Sequence, residues 1–364
     1  MNFVIAAGGT GGHLFPGLAV GEVLLQRGHA VMLLISEKEI DALATQGRAE
    51  FRIEKVRGVG LDGKSPLALL RFLSQFRAGL NQVKALFREF RPSAVLGMGG
   101  FTSTAPILAG RSRKIPTFVH ESNAIPGKAN KLNGRLVTRV LLGFAECAKF
   151  FAAGKCEVTG TPIRRTLTER IPKAQALEAF GLSPDRRTLL VMGGSQGARG
   201  INNAVTDALP QLRSKPVQVI HLTGRDDEQS VREKYAQAGV PAFVAPFWHQ
   251  MEIAYSAADF CIARSGAASL TELSHFALPS ILIPFSFAAE DHQTLNAQIF
   301  ERAGAAVHLP QREITGDTLA NKLAWFLDDP SRLSEMSDRS AALAPKQAAE
   351  RVADVVLSHS GGQS

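Results

Sequence analysis

Short, unbroken apolar runs recur along the chain, separated by longer stretches with a helical period. In the first half the runs are residues 3–7, 30–35, 94–96, 116–120 and 136–142; in the second half they are 188–192, 217–222, 242–245, 260–262 and 280–284. Runs of this length without polar alternation read as strands covered on both faces, the habit of parallel sheets. Residues 51–56 instead alternate apolar with charged positions and read as a half-exposed strand. Between the runs, residues 16–26, 65–89 (one or two helices), 102–110, 173–180 and a stretch from about 201 read as helices. The pattern predicts an α/β chain in which a doubly wound unit occurs twice. The 364 residues suit two domains. The turn chemistry at Gly160-Thr161-Pro162-Ile163 sets the expected division at 1–162 and 163–340, with a closing helix and tail, 341–364, packing back toward the first domain.

Three glycine loops punctuate this pattern: Gly8-Gly9-Thr10-Gly11-Gly12-His13, Gly97-Met98-Gly99-Gly100-Phe101 and Gly193-Gly194-Ser195-Gln196-Gly197-Ala198. The first and third follow a strand and feed a helix, where free backbone N–H groups and the helix dipole converge on an anion. The first loop departs from the dinucleotide pattern, since Thr10 and His13 stand where glycines are required, and it has no phosphate-loop lysine. His13 sits where the loop becomes helix; a histidine there is either a general base or a packed or capping residue. Residues 58–65 match a phosphate-loop pattern, but an alternating strand feeds them and no apolar run ending in a magnesium-binding Asp follows, which argues against a phosphate-loop ATPase. Residues 263–272 also lead from a strand into a helix, and Glu272 there is placed to accept two hydrogen bonds from a ribose diol.

Composition narrows the class. Apolar residues make up 45% and charged residues 20%, as in a globular protein with real cores. The net charge of +8 favours phosphate-rich ligands or anionic surfaces. No Lys/Arg run or RNA-binding aromatic signature is present, so nucleic acid is not expected as a partner. Three scattered cysteines make neither a disulfide framework nor a zinc site and fit a reducing compartment. No signal peptide and no membrane-spanning run is expected. In residues 65–90, Leu67, Leu69, Leu70, Phe72, Leu73, Phe76 and Leu80 interleave with Arg71, Arg77, Lys84 and Arg88. Such a helix either packs its apolar face in a core or docks on an anionic bilayer.

In their order and spacing, stretches 8–17, 97–103, His120-Glu121-Ser122-Asn123, 160–164, 193–199, 264–272 and 291–297 resemble the MurG-type glycosyltransferases of bacterial peptidoglycan synthesis, nearly end to end. The resemblance implies a GT-B fold, with two Rossmann-like domains facing across a cleft. It implies inverting transfer of N-acetylglucosamine from UDP-GlcNAc to the muramoyl 4-hydroxyl of lipid I, giving lipid II, by a peripheral enzyme on the cytoplasmic face of the bacterial cell membrane. Carried over by motif, donor contacts fall on Thr10, Gly11, Gly12, Asn123, Arg164, Ser195, Trp248, Ala267, Ala268, Ser269, Leu270, Thr271, Glu272 and Gln293. Trp248 stands where the family usually has an aliphatic residue that meets uracil through its backbone. His13 is the first choice of base and Glu121 the second; Gly99, Gly100 and Phe101 face the acceptor pyrophosphate. No D-x-D pair is placed for a metal, so neither metal nor cofactor is expected. The membrane contact falls on Leu67, Leu70, Arg71, Leu73, Phe76 and Arg77, and other cell-wall synthesis proteins are expected as partners. Three readings compete: a GT-B transferase with a soluble acceptor, a UDP-GlcNAc epimerase, and a nucleotide-binding module without turnover.

Overall fold

The computed structural model describes residues 1–38, 41, 45–56, 65–194, 197–285 and 291–361. The chain divides into two compact units, residues 1–164 with 345–364, and residues 165–344. The first is built on a seven-stranded sheet: β1 (Asn2–Ala6), β2 (Ala30–Ile35), β3 (Arg52–Lys55), β4 (Ala94–Gly97), β5 (Thr117–Glu121), β6 (Arg139–Leu142) and β7 (Cys156–Val158), in the order 3-2-1-4-5-6-7. The second holds β8 (Arg187–Met192), β9 (Val217–Leu222), β10 (Ala242–Ala245), β11 (Phe260–Ala263), β12 (Ser280–Leu282) and β13 (Ala306–His308), in the order 10-9-8-11-12-13. All pairings in both sheets are parallel. These are two doubly wound units, the GT-B architecture that the sequence implies.

The strand orders explain where the glycines lie. Each sheet reverses direction once, between β1 and β4 and between β8 and β11. At such a switch point the loops leave two neighbouring strands in opposite directions and open a crevice at the carboxyl edge. The first and second glycine loops follow β1 and β4; the third follows β8, and the Arg264-Ser265-Gly266 turn follows β11. Four glycine-containing turns therefore occupy the two switch points.

Several elements differ from the periodicity. The first helix begins at Gly11 and runs to Gln26, so the glycine loop itself forms its opening turn. The run 136–142 is divided: helix Lys128–Leu136 ends it on one side and β6 begins at Arg139, with Val137 buried at the junction. The alternation at 51–56 arises because β3 is an edge strand with one neighbour. The opposite edges, β7 and β13, are three-residue strands too short to stand out as apolar runs. The stretch 65–89 is one helix, Pro66–Phe90, started by Ser65, whose hydroxyl accepts from Ala68 N at 3.1 Å, and stopped by Arg91 in the left-handed region. That assigns Ser65 of the phosphate-loop look-alike to a helix cap; residues 58–64 lie outside the described residues. Helix Ala348–Ser358 returns to the first unit, where Val352, Ala353 and Val356 are buried in the core shared with helix Gly11–Gln26. Fully burying a valine side chain such as these stabilises by roughly 2 kcal/mol.

Candidate functional site

In the first unit the first two glycine loops are built against each other. Met98 N donates to Ala6 O at 2.8 Å, and Ser103 Oγ accepts from Gly99 N at 3.1 Å. Gly9 is held from the other side. The buried Asp41 carboxylate accepts from Gly9 N at 2.8 Å and from Ser36 N at 3.1 Å, and Lys38 Nζ donates to Gly9 O at 2.9 Å. Asp41 and Lys38 carry no motif, so sequence reading passes over them. Gly9, Gly99 and Gly100 adopt φ of +98°, +110° and +71°, a region that glycine enters without steric cost.

His13 projects from the opening turn of the helix over the second loop. A β-carbon on Gly99 would lie 2.9 Å from His13 Nε2 and 3.3 Å from Asn130 Nδ2. Thr10 Oγ1 is 3.3 Å from His13 Nδ1, so a proton held on Nδ1 leaves Nε2 basic. The imidazole is half-buried and Thr10 exposed. Phe101, half exposed, follows the loop in a short 3₁₀ turn.

Glu121 ends β5, almost wholly buried, and its two oxygens accept four hydrogen bonds. Oε1 takes Asn123 N (2.9 Å) and Asn123 Nδ2 (3.1 Å); Oε2 takes Gly127 N (3.1 Å) and Asn130 Nδ2 (2.8 Å). The carboxylate so occupied shapes the 122–130 loop. His120 is buried with Nε2 against Gly160 O at 3.0 Å, and burial holds its pKa below the ordinary value. Arg164 closes the unit. Its guanidinium stacks 4.3 Å from the Phe15 ring centroid, and its buried Nε has no partner among the described residues. Asn130, seven residues beyond Asn123, belongs to no motif, whereas Phe15 lies within the stretch 8–17.

In the second unit, helix Ala267–His275 starts at Gly266 with no side-chain cap among the described residues, which leaves the N–H groups of its first turn without a capping side chain there. Ala268, Ser269 and Glu272 are half-exposed, and Tyr255 OH donates to Glu272 Oε2 at 2.7 Å. Leu270 and Thr271 face inward: Leu270 is fully buried, and Thr271 Oγ1 donates to Ala267 O at 2.9 Å. Neither side chain is offered to a ligand. Gln293 Oε1 accepts from Phe285 N at 2.9 Å, and Gln293 O accepts from Ser265 Oγ at 2.8 Å, tying the loops after β11 and β12 together. Arg264 Nη1 donates to Ile283 O (3.1 Å), Pro284 O (3.0 Å) and Gln311 Oε1 (2.5 Å). In the third loop Gly194 and Gly197 have φ of +94° and +74°; Ser195 lies outside the described residues. The Trp248 ring packs between Phe180 (5.0 Å) and Phe243 (5.4 Å), with Nε1 buried and unpartnered among the described residues. Its side chain is thus part of an aromatic cluster.

Helix Pro66–Phe90 has two faces. Leu67 and Leu70 are 77% and 63% exposed, and Leu73, Arg71 and Arg77 are exposed beside them. Phe76 differs: it stacks on Phe72 and packs against the core with Leu80. Among the described residues no helix is long and apolar enough to cross a membrane, and no cluster of metal-ligating side chains occurs.

Residues 3–142 match the glycosyltransferase family 28 N-terminal domain and residues 188–352 the family 28 C-terminal domain. The UDP-N-acetylglucosamine–N-acetylmuramyl-(pentapeptide) pyrophosphoryl-undecaprenol N-acetylglucosamine transferase of Geotalea uraniireducens is 38% identical, over 97% of both chains. The protein of that name from Syntrophus aciditrophicus is 39% identical over the same shares. Among solved structures, Acinetobacter baumannii MurG superposes with a TM-score of 0.79 at 26% identity, covering 98% of this chain and 100% of that one. A putative UDP-N-acetylglucosamine 2-epimerase from Listeria monocytogenes, at 13% identity and a TM-score of 0.73, shares the fold.

Proposed function

The chain belongs to the family of UDP-N-acetylglucosamine–N-acetylmuramyl-(pentapeptide) pyrophosphoryl-undecaprenol N-acetylglucosamine transferases, and on that premise we propose how its loops divide the work. It is a hexosyltransferase that moves N-acetylglucosamine from UDP-GlcNAc to the muramoyl sugar of lipid I, making lipid II. The observation that carries the mechanism is His13, oriented by Thr10 and laid over the second glycine loop.

His13 Nε2 takes the proton of the muramoyl 4-hydroxyl as that oxygen attacks the anomeric carbon of GlcNAc. The bond from that carbon to the β-phosphate oxygen breaks with inversion, and the electron pair leaves with UDP. Backbone N–H groups of the third glycine loop and of residues 267–269, with the dipole of helix Ala267–His275, stabilise the leaving diphosphate, and Arg164 adds a cation. Glu272 accepts the ribose hydroxyls. Thr10, Gly11, Gly12, Asn123, Ser195 and Gln293 are the remaining donor contacts, and the backbone at Trp248 meets the uracil. Gly99, Gly100 and Phe101 receive the acceptor's pyrophosphate; their open backbone suits it, since any β-carbon on Gly99 would crowd His13. Incubating the protein with radiolabelled UDP-GlcNAc and a lipid I analogue tests the whole reading: labelled lipid and free UDP are expected in equal amounts. UDP-GlcNAc isomerised without lipid labelling would instead favour an epimerase.

The acceptor's lipid lies in a bilayer, and the exposed leucines of helix Pro66–Phe90, with Arg71 and Arg77, are its proposed contact on the cytoplasmic face. Phe76 is left out because it packs inward. The protein is expected to sediment with anionic vesicles at low salt, and Leu67→Glu with Leu70→Glu to weaken this by about tenfold or more. Equal sedimentation of variant and parent would remove these leucines from the contact.

A further inference from the structure

Behind the third glycine loop lies a buried polar network that the transfer reaction does not itself employ. His221, in β9, and Asn202, in helix Arg199–Asp207, are 0% and 1% exposed. Asn202 Nδ2 donates to Thr223 O at 2.9 Å and to Asp227 Oδ2 at 2.8 Å. Two acceptors on that nitrogen fix which way the amide is turned, so Oδ1 faces His221 Nε2 at 3.0 Å. An amide oxygen only accepts, and Nε2 therefore carries the proton. Nδ1 in turn accepts from Tyr235 OH at 3.0 Å. Burial pushes the imidazole down to about 3, so the neutral ring and this tautomer persist through the neutral range.

The network ends on the glycine loop. A β-carbon on Gly197 would overlap the Thr223 carbonyl, so the loop backbone rests directly on the group that Asn202 holds. Thr223 N donates to Ala245 O and Gly224 N to Pro246 O, both at 3.0 Å, which passes the restraint to the backbone just before Trp248. Asp227 Oδ1 meets Arg199 Nε at 3.3 Å, at the first residue of the helix that the loop feeds.

We propose that His221 is a positioning residue for donor binding: its Nε2 proton locks the Asn202 amide, and Asn202 sets the third glycine loop against the segment 245–248. This rests on reading those loops as the donor site. A histidine that only fills the core would affect stability and leave the balance between the two substrates unchanged. Tyr235 separates the cases, because removing its hydroxyl leaves the Nε2 proton in place.

In the full-length protein, His221→Phe is expected to raise the UDP Kd and the KM for UDP-GlcNAc by about tenfold, with the acceptor KM, and both donor constants of Tyr235→Phe, within about twofold of wild type. Unchanged donor constants in His221→Phe, an equal rise in both KM values, or matching behaviour of the two variants would overturn the proposal. If His221→Phe does not fold, ¹⁵N NMR of the wild-type histidines decides: an Nε2-protonated His221 at neutral pH is expected. An Nδ1-protonated ring would overturn it, since the Asn202 amide would then have to turn and release Thr223 and Asp227. Wild-type protein that fails to bind UDP at all would refute the donor-site reading itself, an outcome separate from these.

Discussion

His13→Ala is expected to lower turnover by about two to four orders of magnitude, the range for removing a positioned general base, while UDP still binds. The expectation follows from where the ring stands. Its Nδ1 lies beside Thr10 Oγ1 and its Nε2 over Gly99, on the loop assigned to the acceptor's pyrophosphate. On the proposed reading the diphosphate is stabilised by backbone groups of the third glycine loop and of residues 267–269, so UDP affinity is not expected to depend on the imidazole. Glu121 is not expected to take over on the proposed reading, since its oxygens already accept from Asn123, Gly127 and Asn130. Single-turnover rates with UDP binding measured in parallel are the check. Near-wild-type turnover would exclude His13 as the base, and a matching loss of UDP affinity would move it to donor binding.

Gly99→Ala is expected to be nearly as severe, with kcat lower by roughly a hundredfold, the scale on which a displacement of about 1 Å in a catalytic group acts. Two costs combine. At φ +110° a side chain is strained, by about 1–3 kcal/mol. The added carbon would also sit 2.9 Å from His13 Nε2 and push the ring off its position. Gly154→Ala isolates the first cost: Gly154 has φ +76° but no atom within 4 Å of its would-be β-carbon. Both variants should melt a few degrees lower, as about 1 kcal/mol implies, but only Gly99→Ala should lose activity. Equal activities of the two variants would show that Gly99 serves the backbone alone.

Much of this arrangement is legible in the chain. The apolar runs mark the central strands because a strand covered on both faces has no room for polar alternation, and the glycine loops stand out because their backbone conformations exclude most side chains. The three-residue edge strands β7 and β13 escape because so short a strand carries little apolar signal, while the longer edges β3 and β10 are legible. Positioning residues escape for another reason. Asp41 braces Gly9 across 32 positions, and Asn130 reaches Glu121 across 9, so neither is visible in a local pattern. The leucines of helix Pro66–Phe90 show the same limit: periodicity displays an apolar face, but only packing reveals that Phe76 turns inward while Leu67 and Leu70 stay outside.

By itself the sequence determined the fold class, the number of units, the family and the places of the glycine loops, because these depend on local period, on backbone-permissive residues and on motif order. Tertiary structure decided how the residues around those loops are turned and partnered. It occupied the Glu121 carboxylate, turned Leu270 and Thr271 to the core, placed Trp248 in an aromatic cluster and fixed the His221 tautomer. Basicity, tautomer and reach depend on which groups lie within about 3 Å through space, and residues distant in sequence supply most of them.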